Sequence, residues 1–180
     1  TCWLGGAYRR QDVGDMLDIA PNEQVVALTP LGIPAGGMRT AVNRVIKLLT
    51  PAQGKRLPLE ELAFIEQWKT PIGDTLNDRP ALRVMLEAAR LAPSWVNSQP
   101  WRFLVRDSDL IVGVSRPAGQ NELPYYLLDG GIAMSHIHLV ADELGQSPAW
   151  VTDSAALELL QAECGIPAEF DVIGALKLPA

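Results

Sequence analysis

Apolar residues along the 180-residue chain recur with two periods, and the two alternate. A helical period of three to four predicts helices over Tyr8–Leu17 (Val13, Met16, Leu17), Pro58–Trp68, Ala81–Leu91, Tyr125–Leu144 and Ser154–Glu163. Pro58 with Glu60 and Glu61 suits a helix start, Gly145 suits a helix end, and Asp153 or Ser154 suits a cap. In Tyr125–Leu144 the residues Ile132, Ser135, Leu139 and Val140 are expected near one face. Short runs bounded by turn residues predict strands at Gln24–Leu31, Trp101–Arg106, Leu110–Val114, Ala149–Thr152 and Phe170–Leu178. The second and third of these are close enough for a hairpin at Asp107-Ser108-Asp109. Residues 35–54 are mixed, with a helix over Ala41–Leu49, and Lys69–Asp78 reads as a polar link. The class expected is α+β, a mixed and largely antiparallel sheet flanked by helices.

A strand–helix–strand unit occurs twice. Thr1-Cys-Trp-Leu-Gly-Gly, a helix, and Glu23 to Ala35 make one copy; Pro148-Ala-Trp-Val-Thr-Asp, a helix, and Glu169 to Ala180 make the other. Trp3 aligns with Trp150 and Pro34 with Pro179, so two related modules are expected, over residues 1–67 and 68–180. The first module lacks counterparts of the elements that precede the second copy, which predicts a chain that begins partway through it.

Candidate chemistry concentrates between the helix ending at Leu91 and the strand starting at Trp101. Ala92-Pro-Ser-Trp-Val-Asn-Ser-Gln-Pro-Trp101 has a proline near each end, which stiffens it. Its Ser94, Asn97, Ser98 and Gln99 both donate and accept hydrogen bonds, which suits a neutral heterocycle better than a metal or a phosphate. A capped helix end followed by a turn explains the same composition. Trp95 and Trp101 could flank a planar ring or belong to a core. His136 and His138, two apart on a helix, face different ways and make a poor metal pair, and no metal site is expected.

Composition narrows the partners. A net charge of −6 with no basic run argues against nucleic acid or an anionic membrane as the main partner. Two cysteines, Cys2 and Cys164, make no disulfide framework, and a cytoplasmic location is expected. No apolar stretch approaches the roughly 20 residues of a membrane span.

Ala89-Arg-Leu-Ala-Pro-Ser-x-x-Asn-Ser-Gln-Pro-Trp101 resembles the signature loop of the FMN-dependent nitroreductase family, and the chain is most similar to the C-terminal portion of its two-module members, in which one chain folds as a pseudo-dimer. The resemblance implies FMN as cofactor and electron transfer from NAD(P)H to a nitroaromatic or quinone-like acceptor. It implies that Pro93, Ser94, Asn97 and Gln99 contact the isoalloxazine. Cys2, Trp3, Leu4 and Gly5 would pass its pyrimidine edge, and Lys55 and Arg56 would grip the phosphate. Without the family context Lys55-Arg56 reads as a solvated pair before a helix. No protein group stands out as a catalytic acid or nucleophile, which accords with a cofactor that carries the chemistry. The Arg-x-Ser-x-Arg-like phosphate segment of the family has no match near Pro71–Arg83, so the second module is expected to hold no flavin of its own. That departure supports an alternative: a redox-inactive module that keeps the fold and binds flavin or another planar ligand. A further partner is expected in the missing N-terminal segment or a companion chain.

Overall fold

Trp101, Phe103 and Val105 point to one face of their strand and Leu104 to the other, and all four are fully buried. A strand covered on both faces needs a helical layer on each side. The computed structural model describes residues 8–29, 31–32, 55–119 and 124–178. The chain packs as two compact units, Thr1–Ile46 and Lys47–Ala180.

In the first unit, helix α1 spans Arg10–Leu17 and ends at Asp18 in a left-handed conformation. Of the strand expected at Gln24–Leu31, the described residues 24–29 and 31 belong to no strand. Residues 24–29 hold no ladder, Leu28 is an isolated bridge residue, and Val26 is exposed. Among the described residues no strand lies alongside it, and a single bridge without a ladder does not fix an extended segment as a strand. The segments Thr1–Gly6 and Ala41–Leu49 lie outside the described residues.

The second unit is a five-stranded sheet in the order β1-β2-β3-β5-β4. Its strands are β1 Ala63–Ile65, β2 Trp101–Arg106, β3 Asp109–Ser115, β4 Trp150–Val151 and β5 Phe170–Lys177. β1 runs parallel to β2, and the other neighbours are antiparallel. The predicted hairpin forms, with Arg106 opposite Asp109 and Asp107 at φ 51°. The helix expected over Pro58–Trp68 is only α2, Leu59–Leu62, after which the backbone extends into β1. Ala63 and Phe64 are buried beside β2, so ladder pairing outweighs a helix propensity that costs only tenths of a kcal/mol per residue.

Helix α3, Pro80–Arg90, starts on its proline and buries Leu82, Met85, Leu86 and Ala89. Helix α4, Tyr125–Glu143, buries Gly130, Ala133, Ile137 and Ala141 in the same core layer. The face expected from Ile132, Ser135, Leu139 and Val140 is therefore not the buried one, and Leu139 is 63% exposed. Small residues won the inner face because α4 lies very close to the sheet. A Cβ on Gly130 would come within 2.5 Å of side-chain atoms of Val114 and Ile173. Helix α5, Ser154–Glu163, covers the opposite face with Leu157, and Asp153 caps it by accepting the Ala156 N–H at 3.0 Å. Among the described residues no helix is long and apolar enough to cross a membrane.

Candidate functional site

The loop between α3 and β2 is held from two sides by buried polar groups. Among the described residues the buried polar or charged side chains are Gln99 and Asp129, 5% and 2% exposed, and both are bonded to this loop or to what it rests on. A buried polar group without partners costs one to several kcal/mol, so such groups persist where their bonds are made.

Gln99 ties the loop to the segment before α2. Its Oε1 accepts the Leu57 N–H at 2.8 Å, and its Nε2 donates to the carbonyls of Lys55 and Asn97, each at 3.2 Å. Its own backbone N–H donates to Ser94 Oγ at 2.9 Å. Asn97 adds to the link: its Nδ2 donates to the Lys55 carbonyl at 2.8 Å, and its Oδ1 accepts from Arg56 Nη1. Arg56 Nη2 donates to the Leu91 carbonyl at 3.2 Å, at the end of α3. Residues 42 and 44 apart in sequence, Asn97 with Lys55 and Gln99 with Lys55, thus form one polar knot.

The backbone here is strained. Val96, Asn97 and Gln99 have φ of 46°, 59° and 47°. Asn tolerates the left-handed region, but a β-branched valine there is a conformational outlier costing about 1–3 kcal/mol. Trp95–Asn97 forms a single 3-10 turn, with Ser98 N–H donating to the Trp95 carbonyl at 3.0 Å.

Asp129, on the second turn of α4, is a functional candidate that periodicity does not reveal. Its Oδ1 accepts the Trp95 N–H at 3.0 Å, and the Ser98 hydroxyl also bonds to it. Burial pushes its carboxyl up to about 6, and the bonds from Trp95 and Ser98 oppose that rise. An acidic residue inside an otherwise apolar helix, Tyr-Tyr-Leu-Leu-Asp129-Gly-Gly-Ile, is the signal from which it could have been found.

The predicted site residues separate as follows. Pro93 is exposed, Ser94 and Asn97 are half-buried, and Gln99 is buried within the same loop. Lys55 and Arg56 are brought to that loop across the chain, an association absent from the local sequence. Cys2, Trp3, Leu4 and Gly5 lie outside the described residues. Trp95 is 61% exposed at the loop surface, whereas Trp101 is fully buried in the core, so the two do not flank a common ring. His136 Nδ1 lies 3.0 Å from the Ala88 carbonyl, linking α4 to α3, and His138 is exposed. Among the described residues no group of histidine, cysteine and carboxylate side chains could hold a metal ion.

The donor set suits a phosphorylated heterocycle. Among the described residues the ion pairs leave Lys55 and Arg56 without a carboxylate partner, and the Arg56 guanidinium bonds directly to the Asn97 amide of the loop. Elsewhere, Arg116 and the Tyr126 hydroxyl both bond Asp171, the latter at 2.6 Å; chiefly through Arg116, the Asp171 carboxyl is held below its usual range. Arg116 and Asp171 also line a cleft of about 560 Å³, together with residues of α4, α5 and β5.

A family profile described as "Putative TM nitroreductase" matches residues 1–141. No curated protein gives a significant match. Among solved structures, a Thermotoga maritima protein described as a "putative nitroreductase" is 25% identical over 69% of this chain, with a TM-score of 0.43. An FMN-dependent nitroreductase of Clostridium difficile is 21% identical over 66% of this chain and 83% of its own, with a TM-score of 0.48. A Desulfovibrio desulfuricans protein described as a "putative nitroreductase", solved in complex with FMN, is 26% identical over 54% of this chain and 71% of its own, with a TM-score of 0.46. The chain spans only 42% of the Thermotoga protein. The profile match covers well over half of these 180 residues, and the chain belongs to this nitroreductase family.

Proposed function

We propose that the chain is part of an FMN-dependent oxidoreductase, and that the Pro93–Gln99 loop together with Lys55 and Arg56 forms one side of its flavin site. The observation that carries this reading is the knot itself: two cations with no carboxylate partner are bonded through Arg56 and the Lys55 carbonyl to Asn97 and Gln99. Guanidinium and ammonium groups supply the charged donors a phosphate monoester needs, and the loop's amides and exposed Trp95 suit a flat ring with alternating donors and acceptors. FMN, when bound, would supply two-electron transfer from NAD(P)H to a nitroaromatic or quinone-like acceptor. The chain's residues bind and orient it: Lys55 and Arg56 at the phosphate, Ser94, Asn97 and Gln99 with Pro93 along the ring. Cys2, Trp3, Leu4 and Gly5 enter this proposal through the family resemblance alone, since they lie outside the described residues. Assignment of residues 1–67 and 68–180 to two related modules belongs to the same proposal.

One observation favours the redox-inactive alternative. The Asn97 and Gln99 amides are bonded within the chain, so flavin must either leave those bonds in place or replace them. Reduction of bound FMN by NADH or NADPH, followed at its visible absorption band, separates the two readings. Bleaching on reductant and recovery on adding a quinone supports the enzyme, and bound flavin that neither reductant bleaches supports the module without turnover.

A further inference from the structure

Asp129 has no role in the flavin reading, yet it is the most buried polar side chain among the described residues, and it bonds to Trp95 and Ser98 of the candidate loop. Gln99 anchors the loop's far end to Lys55 and Leu57, but nothing in that set reaches Trp95, which immediately precedes the left-handed Val96 and Asn97. The Trp95 N–H is a donor at the entry of the turn, and Ser98 lies at its exit; Asp129 accepts from both. A single acceptor spanning the two ends of a four-residue turn fixes the residues between them, Val96 and Asn97, in a backbone region they would otherwise leave. The helix that carries Asp129 is itself fixed, because its neighbour Gly130 lies against Val114 and Ile173 with no room for a Cβ. The acceptor is therefore delivered from a rigid element to a strained one.

We propose that Asp129 is a positioning residue for the cofactor loop, holding the Trp95–Ser98 turn so that Val96 and Asn97 stay in the left-handed region and the Asn97 side chain is directed to Lys55 and Arg56. It acts through the loop rather than by touching the ligand. The functional half of the proposal rests on the flavin reading; the structural half does not.

The test compares wild type with Asp129→Leu, which removes the acceptor, and Asp129→Asn, which keeps an oxygen in its place. Amide hydrogen exchange is read at Trp95–Ser98 against α3 and β2 as internal references, and FMN affinity is read by quenching of flavin fluorescence. Loss of a buried acceptor from a charged group predicts faster loop exchange and weaker FMN binding in Asp129→Leu by about tenfold or more each, with the reference elements unchanged. Asp129→Asn is expected to restore both to within about threefold of wild type. If Asp129→Leu fails to fold, Ser98→Ala, at an exposed position, replaces it, with faster exchange at Trp95–Ser98 expected. Loop exchange and affinity that stay at wild-type values in the acceptor-deleted variant overturn the proposal, as does failure of Asp129→Asn to rescue. Wild-type protein that takes up no FMN sinks the flavin reading alone, and the exchange contrast then still decides the role of Asp129.

Discussion

Gln99→Ala should loosen the knot at its centre, and the structure sets the size of the effect. The substitution removes an acceptor from the Leu57 N–H at 2.8 Å and a donor shared by the Lys55 and Asn97 carbonyls at 3.2 Å each. A buried donor left unpaired costs about 1–3 kcal/mol, and each lost neutral bond to a carbonyl that water can reach costs about 0.5–1 kcal/mol. Lys55 is exposed and Asn97 half-buried, so their carbonyls fall in the cheaper class. The sum is a loss of about 2–5 kcal/mol in unfolding free energy, measured by urea denaturation with an unchanged slope. Gln99→Glu sharpens the reasoning. The carboxylate can still accept from Leu57, but it cannot donate and it faces two carbonyl oxygens, so it should be no more stable than the alanine variant at pH 7. A loss below about 0.5 kcal/mol in Gln99→Ala, or a glutamate variant as stable as wild type, would refute the view that this side chain joins the two segments.

Two other variants probe the frame around the loop. The Asp129 carboxyl is raised from 3.8 to about 6 by burial, so the folded state holds its proton more tightly than the unfolded chain does. Its contribution to stability is full below pH 4 and is lost as pH rises through 6, by up to about 2 kcal/mol once solvent screening is allowed for. Asp129→Asn should therefore match wild type near pH 4 and exceed it at pH 8 by about 1–2 kcal/mol, in denaturation series at both pH values. Gly130→Ala drives a methyl against Val114 and Ile173 and should lose about 1–3 kcal/mol by the same assay, whereas Gly131→Ala, which meets nothing within 4 Å, should not.

Much of the second unit was legible because its strands announce themselves. Trp101–Arg106 and Leu110–Val114 carry apolar runs on either side of a two-residue turn, and Asp153 marks a helix start by its own chemistry. What the pattern misread were segments whose state depends on a distant neighbour. Ala63-Phe64-Ile65 continues a helical period but is drawn into a ladder with Phe103-Leu104-Val105, forty positions away. The inner face of α4 is lined by glycine and alanine because close approach to the sheet, rather than side-chain hydrophobicity, selected it, and so Leu139 pointed the pattern outward. The loop's composition revealed candidate hydrogen-bonding groups; their joining to Lys55 and Arg56, and their support by Asp129, depend on tertiary contacts spanning 34 to 44 residues that no local window contains.

The central claim, that the knot of Lys55, Arg56, Asn97 and Gln99 forms one side of a flavin site, is tested most directly by titrating FMN into the purified chain, alone and extended by any upstream sequence of its gene, with a Lys55→Ala/Arg56→Ala double variant alongside. The account predicts saturable uptake of about one FMN per chain in at least one form, with affinity reduced about tenfold to a hundredfold or more when both cations are removed. FMN that binds to neither form, or binds the double variant as tightly as wild type, would contradict it.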